Sequence, residues 1–447
     1  MSESASPHES AIRPQKMRKI IAAALSASTL EWYDFYIYGT AAALVFNKVF
    51  FPEVSPALGT LAAFATFGVG FLFRPLGGIV FGHFGDTLGR KKLLVISMLM
   101  MGIATFLIGV LPTYTTIGIA APILLVVLRA VQGLAVGGQY GGAMLLVTEN
   151  APASKRGFYG SFAHVGPSLA VILSNVVFLI VVAMMDTAAL ESWGWRLPFL
   201  LSAVVIAAGL YIQIAIEDTA EFRALQQTNS RTTVNGTNVR RSPIIVALTT
   251  HPKALLQAGG MILVVQVYYY ILIVFTISYA TSHGIGRTTA LMTVLASSVV
   301  TVAAIPYFAA LSDRVGRKRV LLAACVATSL TAIPFVLLLQ TADVGLLLLA
   351  VLIPGLTLGA LYGPMAAFYY EMFSAEVRYS GASIGYQLGA VVGGGFAPLT
   401  ATALLESTGT ILSVGVYVFV AGALSVWAIA STKNNQPHQK THGEEAR

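Results

Sequence analysis

Apolar residues run along the chain in blocks of about twenty or more, broken by short polar stretches. A block of that length crosses the hydrocarbon of a bilayer as α-helix. The blocks predict helices at about 20–46, 58–83, 93–112, 117–147, 158–185 and 197–216, then at about 255–282, 289–312, 320–341, 344–370, 380–405 and 410–431. A polar stretch with Arg223, Arg231, Arg240 and Arg241 divides the two sets. The predicted organisation is a cytoplasmic tail (1–19), a six-helix bundle (20–216), a cytoplasmic linker (217–253), a second six-helix bundle (254–432) and a polar tail (433–447). The fold class is an all-α membrane protein with twelve transmembrane helices.

Composition agrees. Of 447 residues, 56% are hydrophobic and 10% charged, against about 25% charged in an ordinary soluble domain. The net charge of +8 does not point to nucleic acid, because the basic residues sit in short loops with no aromatic-basic interleaving. Their distribution orients the chain instead. Twelve spans put both ends on one side. If that side is cytoplasmic, only Lys48, Arg196 and Arg287 of the 27 Lys and Arg fall outside, with Arg74 and Arg129 inside spans. That is the positive-inside bias. The single cysteine, Cys325, lies in an apolar run and excludes an intrachain disulfide. The first run is long, carries carboxylates and lacks a small-residue cleavage site, so it is expected to be a retained helix.

The two halves repeat. A shift of 222 residues aligns Gly133 with Gly355, Gly137 with Gly359, Tyr140 with Tyr362, Gly141 with Gly363, Glu149 with Glu371 and Arg156 with Arg378. A shift of 227 aligns Asp86 with Asp313, Gly89 with Gly316 and Arg90 with Arg317. The repeats run in the same sense, which places a substrate between the halves near the midplane.

The loop after the second helix carries Gly82, Gly85, Asp86, Gly89, Arg90, Lys91 and Lys92; the loop after the eighth carries Ala309, Asp313, Arg314, Gly316, Arg317, Lys318 and Arg319. Both resemble the signature loop of the major facilitator superfamily. Its aspartate can accept hydrogen bonds from a neighbouring helix N-terminus and from an arginine, fastening one conformation. Asp86, Gly89, Arg90, Arg156, Asp313, Gly316, Arg317 and Arg378 are therefore expected to form conformational latches. Ala309 stands where the pattern prefers glycine, which predicts looser helix packing there. More specific are Glu31-Trp32-Tyr33-Asp34-Phe35-Tyr36, Arg74-Pro75, Arg129 through Gln132-Gly133 to Gly141-Gly142, Lys155-Arg156-Gly157 and Gly194-Trp195-Arg196. Together they resemble the metabolite–proton symporter family. Within it, the run from Val54 to Leu94 is similar to members that carry shikimate, which implies a small hydroxylated carboxylate as substrate and residence in a bacterial inner membrane. The family often has Glu where this chain has Gln139, so one proton carrier of the family pattern is missing.

A charge at the centre of a membrane helix costs roughly 2.5–3.5 kcal/mol on insertion scales, which makes the intramembrane charges functional candidates. Glu31 and Asp34, three residues apart, share a helix face. From a start near residue 20 they lie about 17 and 21 Å along the first helix, and Arg129 lies about 18 Å into the fourth from the outside. Desolvation disfavours an ionised carboxylate there, while a neighbouring arginine favours it. That conflict suits proton coupling through Asp34 or Glu31, with a substrate carboxylate taking over Arg129. A permanent Asp34–Arg129 pair joining two helices is the structural alternative. Arg74 divides evenly between function and scaffold. Tyr33, Gln132, Gln139, Asn175, Gln266, Tyr269, Tyr386 and Gln387 are polar at middle depth and suited to substrate hydroxyls, although such residues also join helices. His164 reads as a packed polar residue near the cytoplasmic end. Tyr268, Tyr269 and Tyr270 cannot all face one cavity, and Gly393-Gly394-Gly395 reads as close packing and bending.

Nothing resembles an enzyme, and no nucleotide-binding loop, metal set or other cofactor site appears. The expected activity is uptake of a small organic acid with protons, by a monomer in the bilayer. The alternatives are an osmolyte, sugar or dicarboxylate carrier, a proton-independent facilitator, and a membrane sensor that binds without transporting.

Overall fold

The computed structural model describes residues 14–88, 90–137, 147–148, 151–215, 249–373 and 378–432. Among these the chain is almost entirely helical, with no strand. Helix α1 runs Pro14–Ala41 and continues through a π-turn, Ala42–Phe46, to Phe50. It is followed by α2 (Pro56–Leu88), α3 (Arg90–Val110), α4 (Ala120–Gly137), α5 (Arg156–Gly160, then Phe162–Met184) and α6 (Leu197–Ala215). The second set is α7 (Pro252–Tyr270, a π-turn Ile271–Phe275, then Thr276–Ser282), α8 (Arg287–Val315), α9 (Arg317–Gln340) and α10 (Val344–Met372). It ends with α11 (Arg378–Gly389, a π-segment Ala390–Gly395, then Ala397–Thr408) and α12 (Leu412–Ala430). Nine of these are long and apolar enough to cross a membrane by length and composition. Helix α1 with its two carboxylates, α3 with its apolar part Val95–Val110, and α6 complete the twelve. The fourth helix is expected to reach residue 147; 138–146 lie outside the described residues, as does the linker up to residue 248.

The sequence repeat returns as repeated packing. In the first half, a Cβ on Gly133 would collide with the Gly70 carbonyl and one on Gly137 with the Arg74 carbonyl, so these glycines draw α4 onto α2. In the second half their counterparts serve the same contact between α10 and α8: a Cβ on Gly355 would lie 2.7 Å from the Ser297 carbonyl. Ser297 and Thr301 on α8 also donate to the Val351 and Gly355 carbonyls, at 2.7 and 3.0 Å. Packing at Ala309 is not loose, contrary to expectation. A Cβ on Gly363 would lie 2.8 Å from the Ala309 nitrogen, so the partner helix supplies the glycine that the loop pattern lacks.

Among the described residues, the halves meet along several seams. Outside the centre, α1 and α7 approach where Gly39 faces Val274, beside the two matching π-turns. Helix α11 crosses α2, with Gly68 against the Gly395 carbonyl and Gly394 against the rings of Tyr270 and Phe71; here the glycine run does provide close approach and bending. Helix α5 meets α8 at the end bearing Asp313.

Candidate functional site

At mid-depth, α1 turns Trp32, Asp34, Phe35 and Tyr36 into the protein, all nearly or fully buried. Asp34 is 1% exposed and neither of its oxygens has a hydrogen-bond partner. Thr105 of α3 lies beside it, but the Thr105 hydroxyl donates to the Met101 carbonyl at 2.9 Å, so its one proton is engaged. Thr105 also accepts from Gln132 Nε2 at 2.7 Å, and Gln132 Oε1 accepts from Arg129 Nη1 at 2.9 Å. A polar line thus runs from Arg129 through Gln132 to Thr105, beside Asp34, across α4, α3 and α1. The Asp34–Arg129 pair, the structural alternative to coupling, is not formed among the described residues.

Both buried guanidiniums lie on aromatic rings. The Arg129 carbon is 3.9 Å from the Phe35 centroid, 4.2 Å from Tyr38 and 4.9 Å from Phe67. That of Arg74 is 4.2 Å from the same Phe35 centroid, 4.1 Å from Phe71 and 4.9 Å from Trp32. Cation–π attraction of about 0.5–2 kcal/mol per contact offsets part of the cost of burying them. Nε and Nη2 of both arginines have no hydrogen-bond partner.

The second half presents neutral groups to this cluster. The Tyr270 ring stands edge-on to Phe71 at 5.1 Å and to Phe67 at 5.5 Å. Tyr269 lies 5.9 Å from Tyr36 and 5.7 Å from Tyr362, and the Tyr362 hydroxyl reaches Gln266 Oε1 at 3.5 Å. Tyr268 turns away onto Phe335, so the three tyrosines do divide between faces. His164 is buried and packed, with its ring 5.4 Å from Tyr362 of the other half. Tyr386, Gln387 and Asn175 are buried, and the side-chain oxygens of Asn175 and Gln387 lack partners. Tyr33 is set apart, since its hydroxyl donates to the Pro198 carbonyl at 3.2 Å and ties α1 to α6. Glu31 lies in α1 with its side chain outside the described residues, as is all of Gln139.

The signature-loop residues lie at one end of the molecule. Asp313 accepts from the Gly157 and Phe158 amides, both at 2.9 Å, at the start of α5. A carboxylate there meets free amides and the positive end of the helix dipole. Arg317 donates to Asp313 at 3.0 Å and pairs with Glu371. Gly316 breaks the helix between them at φ 102°, a conformation that favours glycine. Arg156 donates to the Thr148 carbonyl at 3.1 Å and lies 4.5 Å from the Tyr370 ring. In the first-half copy, Gly89 and the side chains of Asp86 and Arg90 lie outside the described residues, as does the side chain of Arg378 at the start of α11.

The opposite end holds a bridge that the sequence did not single out. Glu191, on a short helix Thr187–Ser192, accepts from Lys48 Nζ at 2.8 Å and from Arg287 Nη2 of the second half at 2.6 Å. Burial alone would raise the Glu191 carboxyl, but the hydrogen bonds and charges of Lys48 and Arg287 outweigh it and hold the group below its ordinary value. Arg196 donates to the Ser192 and Leu111 carbonyls nearby. The three cations assigned outside by the charge bias therefore share one face.

Known proteins bear on this arrangement. The sugar (and other) transporter family matches residues 19–439. The chain is 41% identical over 433 residues to the shikimate transporter of Escherichia coli, covering 96% of this chain and 98% of that one. It is 35% identical to the proline/betaine transporter of the same organism, over 92% of this chain and 82% of that one. Among solved structures, the xylose transporter XylE from Escherichia coli superposes with a TM-score of 0.71 at 16% identity, over 93% and 97% of the two chains. The chain is a multi-pass membrane transporter, not an enzyme, and belongs to the sugar (and other) transporter family of the major facilitator superfamily.

Proposed function

We propose that the protein imports a small organic acid together with protons, by alternating access of the central site. The observation that carries this reading is Asp34, buried with no hydrogen-bond donor on either oxygen. An ionised carboxylate in such a place is costly, and a protonated one is far less so. Arg129, whose hydrogen-bonded line through Gln132 and Thr105 ends beside Asp34, supplies the opposing influence. A substrate carboxylate arriving at Arg129 frees Asp34 to hold its proton, and departure of the substrate returns the arginine to it. Tyr269, Gln266, Tyr386, Gln387 and Asn175 offer hydrogen bonds to hydroxyls. A shikimate-like hydroxylated carboxylate is the first class to test, on the strength of the 41% relative.

In the same reading, Asp313 with Arg317 fastens the halves at the cytoplasmic face and Glu191 with Arg287 at the outer face. The chain then works as a monomer in a bacterial inner membrane, with both termini cytoplasmic. The test is uptake into inverted or reconstituted vesicles under an imposed pH gradient. Unlabelled organic acids, betaines and sugars would compete against one transported compound. Accumulation of an acid that a protonophore abolishes is expected. Preferential competition by betaines favours the second reading, an osmolyte carrier, to which the proline/betaine relatives lend support. Binding without accumulation leaves a sensor.

A further inference from the structure

Arg74 has no part in the polar line that joins Arg129 to the Asp34 neighbourhood. Of its guanidinium, Nε and Nη2 reach no acceptor. Those two nitrogens form the side-on edge whose parallel N–H bonds match the two oxygens of a carboxylate. Four other described arginines use at least one nitrogen of this edge: Arg156 Nε and Arg196 Nη2 on backbone carbonyls, Arg287 Nη2 and Arg317 Nη2 on carboxylates. An arginine serving only to fill the box of Trp32, Phe35 and Phe71 would gain by the same backbone bonds, since each buried donor left unpaired is costly. Both central arginines instead leave the same edge open. Their guanidinium carbons lie 4.2 and 3.9 Å from one Phe35 centroid, so they are at most about 8 Å apart, by the sum of those distances. Phe71, under Arg74, touches Tyr270 of the other half, which puts Arg74 beside the seam where substrate must pass.

We propose that Arg74 is a second substrate-binding residue, which takes the substrate carboxylate side-on beside Arg129, so that the carboxylate lies between the two guanidiniums. This rests on the organic-acid reading and adds to it: Arg74 binds the carboxylate only, while Arg129 both binds it and faces the Asp34 neighbourhood through Gln132 and Thr105. The Arg74–carboxylate contact does not follow from the aromatic packing alone.

The experiment compares an acid with its uncharged methyl ester as competitors for binding to purified protein in detergent. Shikimate and methyl shikimate are the probes, or, if the uptake panel returns another acid, that acid and its methyl ester. Wild type should bind the acid more tightly than the ester. Arg74→Gln should weaken the acid by about 10- to 100-fold, the worth of a charged hydrogen-bonded pair, with the ester nearly unchanged. Arg74→Lys, which keeps the charge on the aromatic box but not the fork, should fall between and provides the measurement if the glutamine variant does not fold. Equal loss for acid and ester, or no loss for either, in the folded variant overturns the proposal and leaves Arg74 as packing. A wild type that takes up no acid in the panel overturns the organic-acid reading itself, an outcome distinct from the Arg74 result.

Discussion

The two halves share a scaffold and differ in what they place at its centre. Matched glycines close α2 onto α4 and α8 onto α10. Yet the first half holds Asp34, Arg74 and Arg129 buried at mid-depth, while every charged residue of the described second-half helices sits near a helix end. The second half contributes Gln266, Tyr269, Tyr270 and Tyr362 instead. Duplication therefore preserved the glycine contacts that hold each bundle together, and among the described residues the centrally buried charges are confined to one bundle. At roughly 2.5–3.5 kcal/mol per central charge on insertion scales, keeping three such groups in one half is costly, which is why the proposed function gives them the chemistry. On the proposed reading, the first half handles charge, and the second supplies shape and hydroxyl recognition.

The strongest way to break this contrast is at Asp34. Asp34→Asn keeps the shape and removes the titrating group. Accumulation of labelled acid against its gradient should fall to equilibrium, while exchange of labelled for unlabelled acid persists in part. An unimpaired accumulation would pass the role to Glu31 or end the coupling argument. Next is Arg129→Lys, which keeps the charge but loses the fork held by Gln132. Transport of acids should drop by roughly 10-fold or more, the size of a charge-assisted hydrogen bond. Tyr362→Phe in the second half, removing one hydroxyl from Gln266, should shift competition among hydroxylated acids by a few-fold at most and leave the pH dependence of uptake in place. A reversed order of these two effects would contradict the division between the halves.

A smaller effect is expected at the latch. Asp313→Asn weakens the contact with the start of α5 and with Arg317, so transport rate should change several-fold with equilibrium binding nearly constant, as for a shift between conformations. Equal changes in rate and affinity would place Asp313 outside any latch. The smallest effect belongs to Glu191. Its carboxyl is held below the ordinary value, so the bridge to Arg287 is charged through the neutral range and weakens only as outside pH falls through that lowered value. Glu191→Gln should mimic acid conditions, with modest change because exposed ion pairs are weak. Labelling of a cysteine placed near this seam should rise slightly. Labelling that does not respond to either acid or Glu191→Gln would remove the bridge from the conformational account.

Much of the fold was legible because bilayer physics leaves few choices. Long apolar runs become helices, and the matched glycines at 133 and 355 declared both repeat and contact. The charged centre was legible for the same reason, since Asp34 and Arg129 stand out in apolar surroundings. The wiring between them was not. Gln132 was visible as a polar residue, but Thr105 is a single hydroxyl in an apolar run, and only the crossing of α3 with α4 places it under Gln132. Ala309 misled, because closeness there depends on Gly363 across the interface rather than on the loop's own residue. Tyr33 looked like its neighbours in sequence, and only the position of α6 shows its hydroxyl tied to Pro198. Glu191 lies on a short helix between α5 and α6, where sequence does not tell which cations it will meet. What escaped the sequence in each case is a contact between segments far apart along the chain.

The central claim is that entry of the acid carries a proton held by Asp34. It is tested most directly with protein reconstituted in weakly buffered liposomes, by recording external pH as the transported acid is added outside. Wild type should alkalinise the medium in step with uptake, and Asp34→Asn should not, although it still exchanges labelled for unlabelled acid. Alkalinisation of equal size with Asp34→Asn, or uptake by wild type with no pH change, would contradict the account.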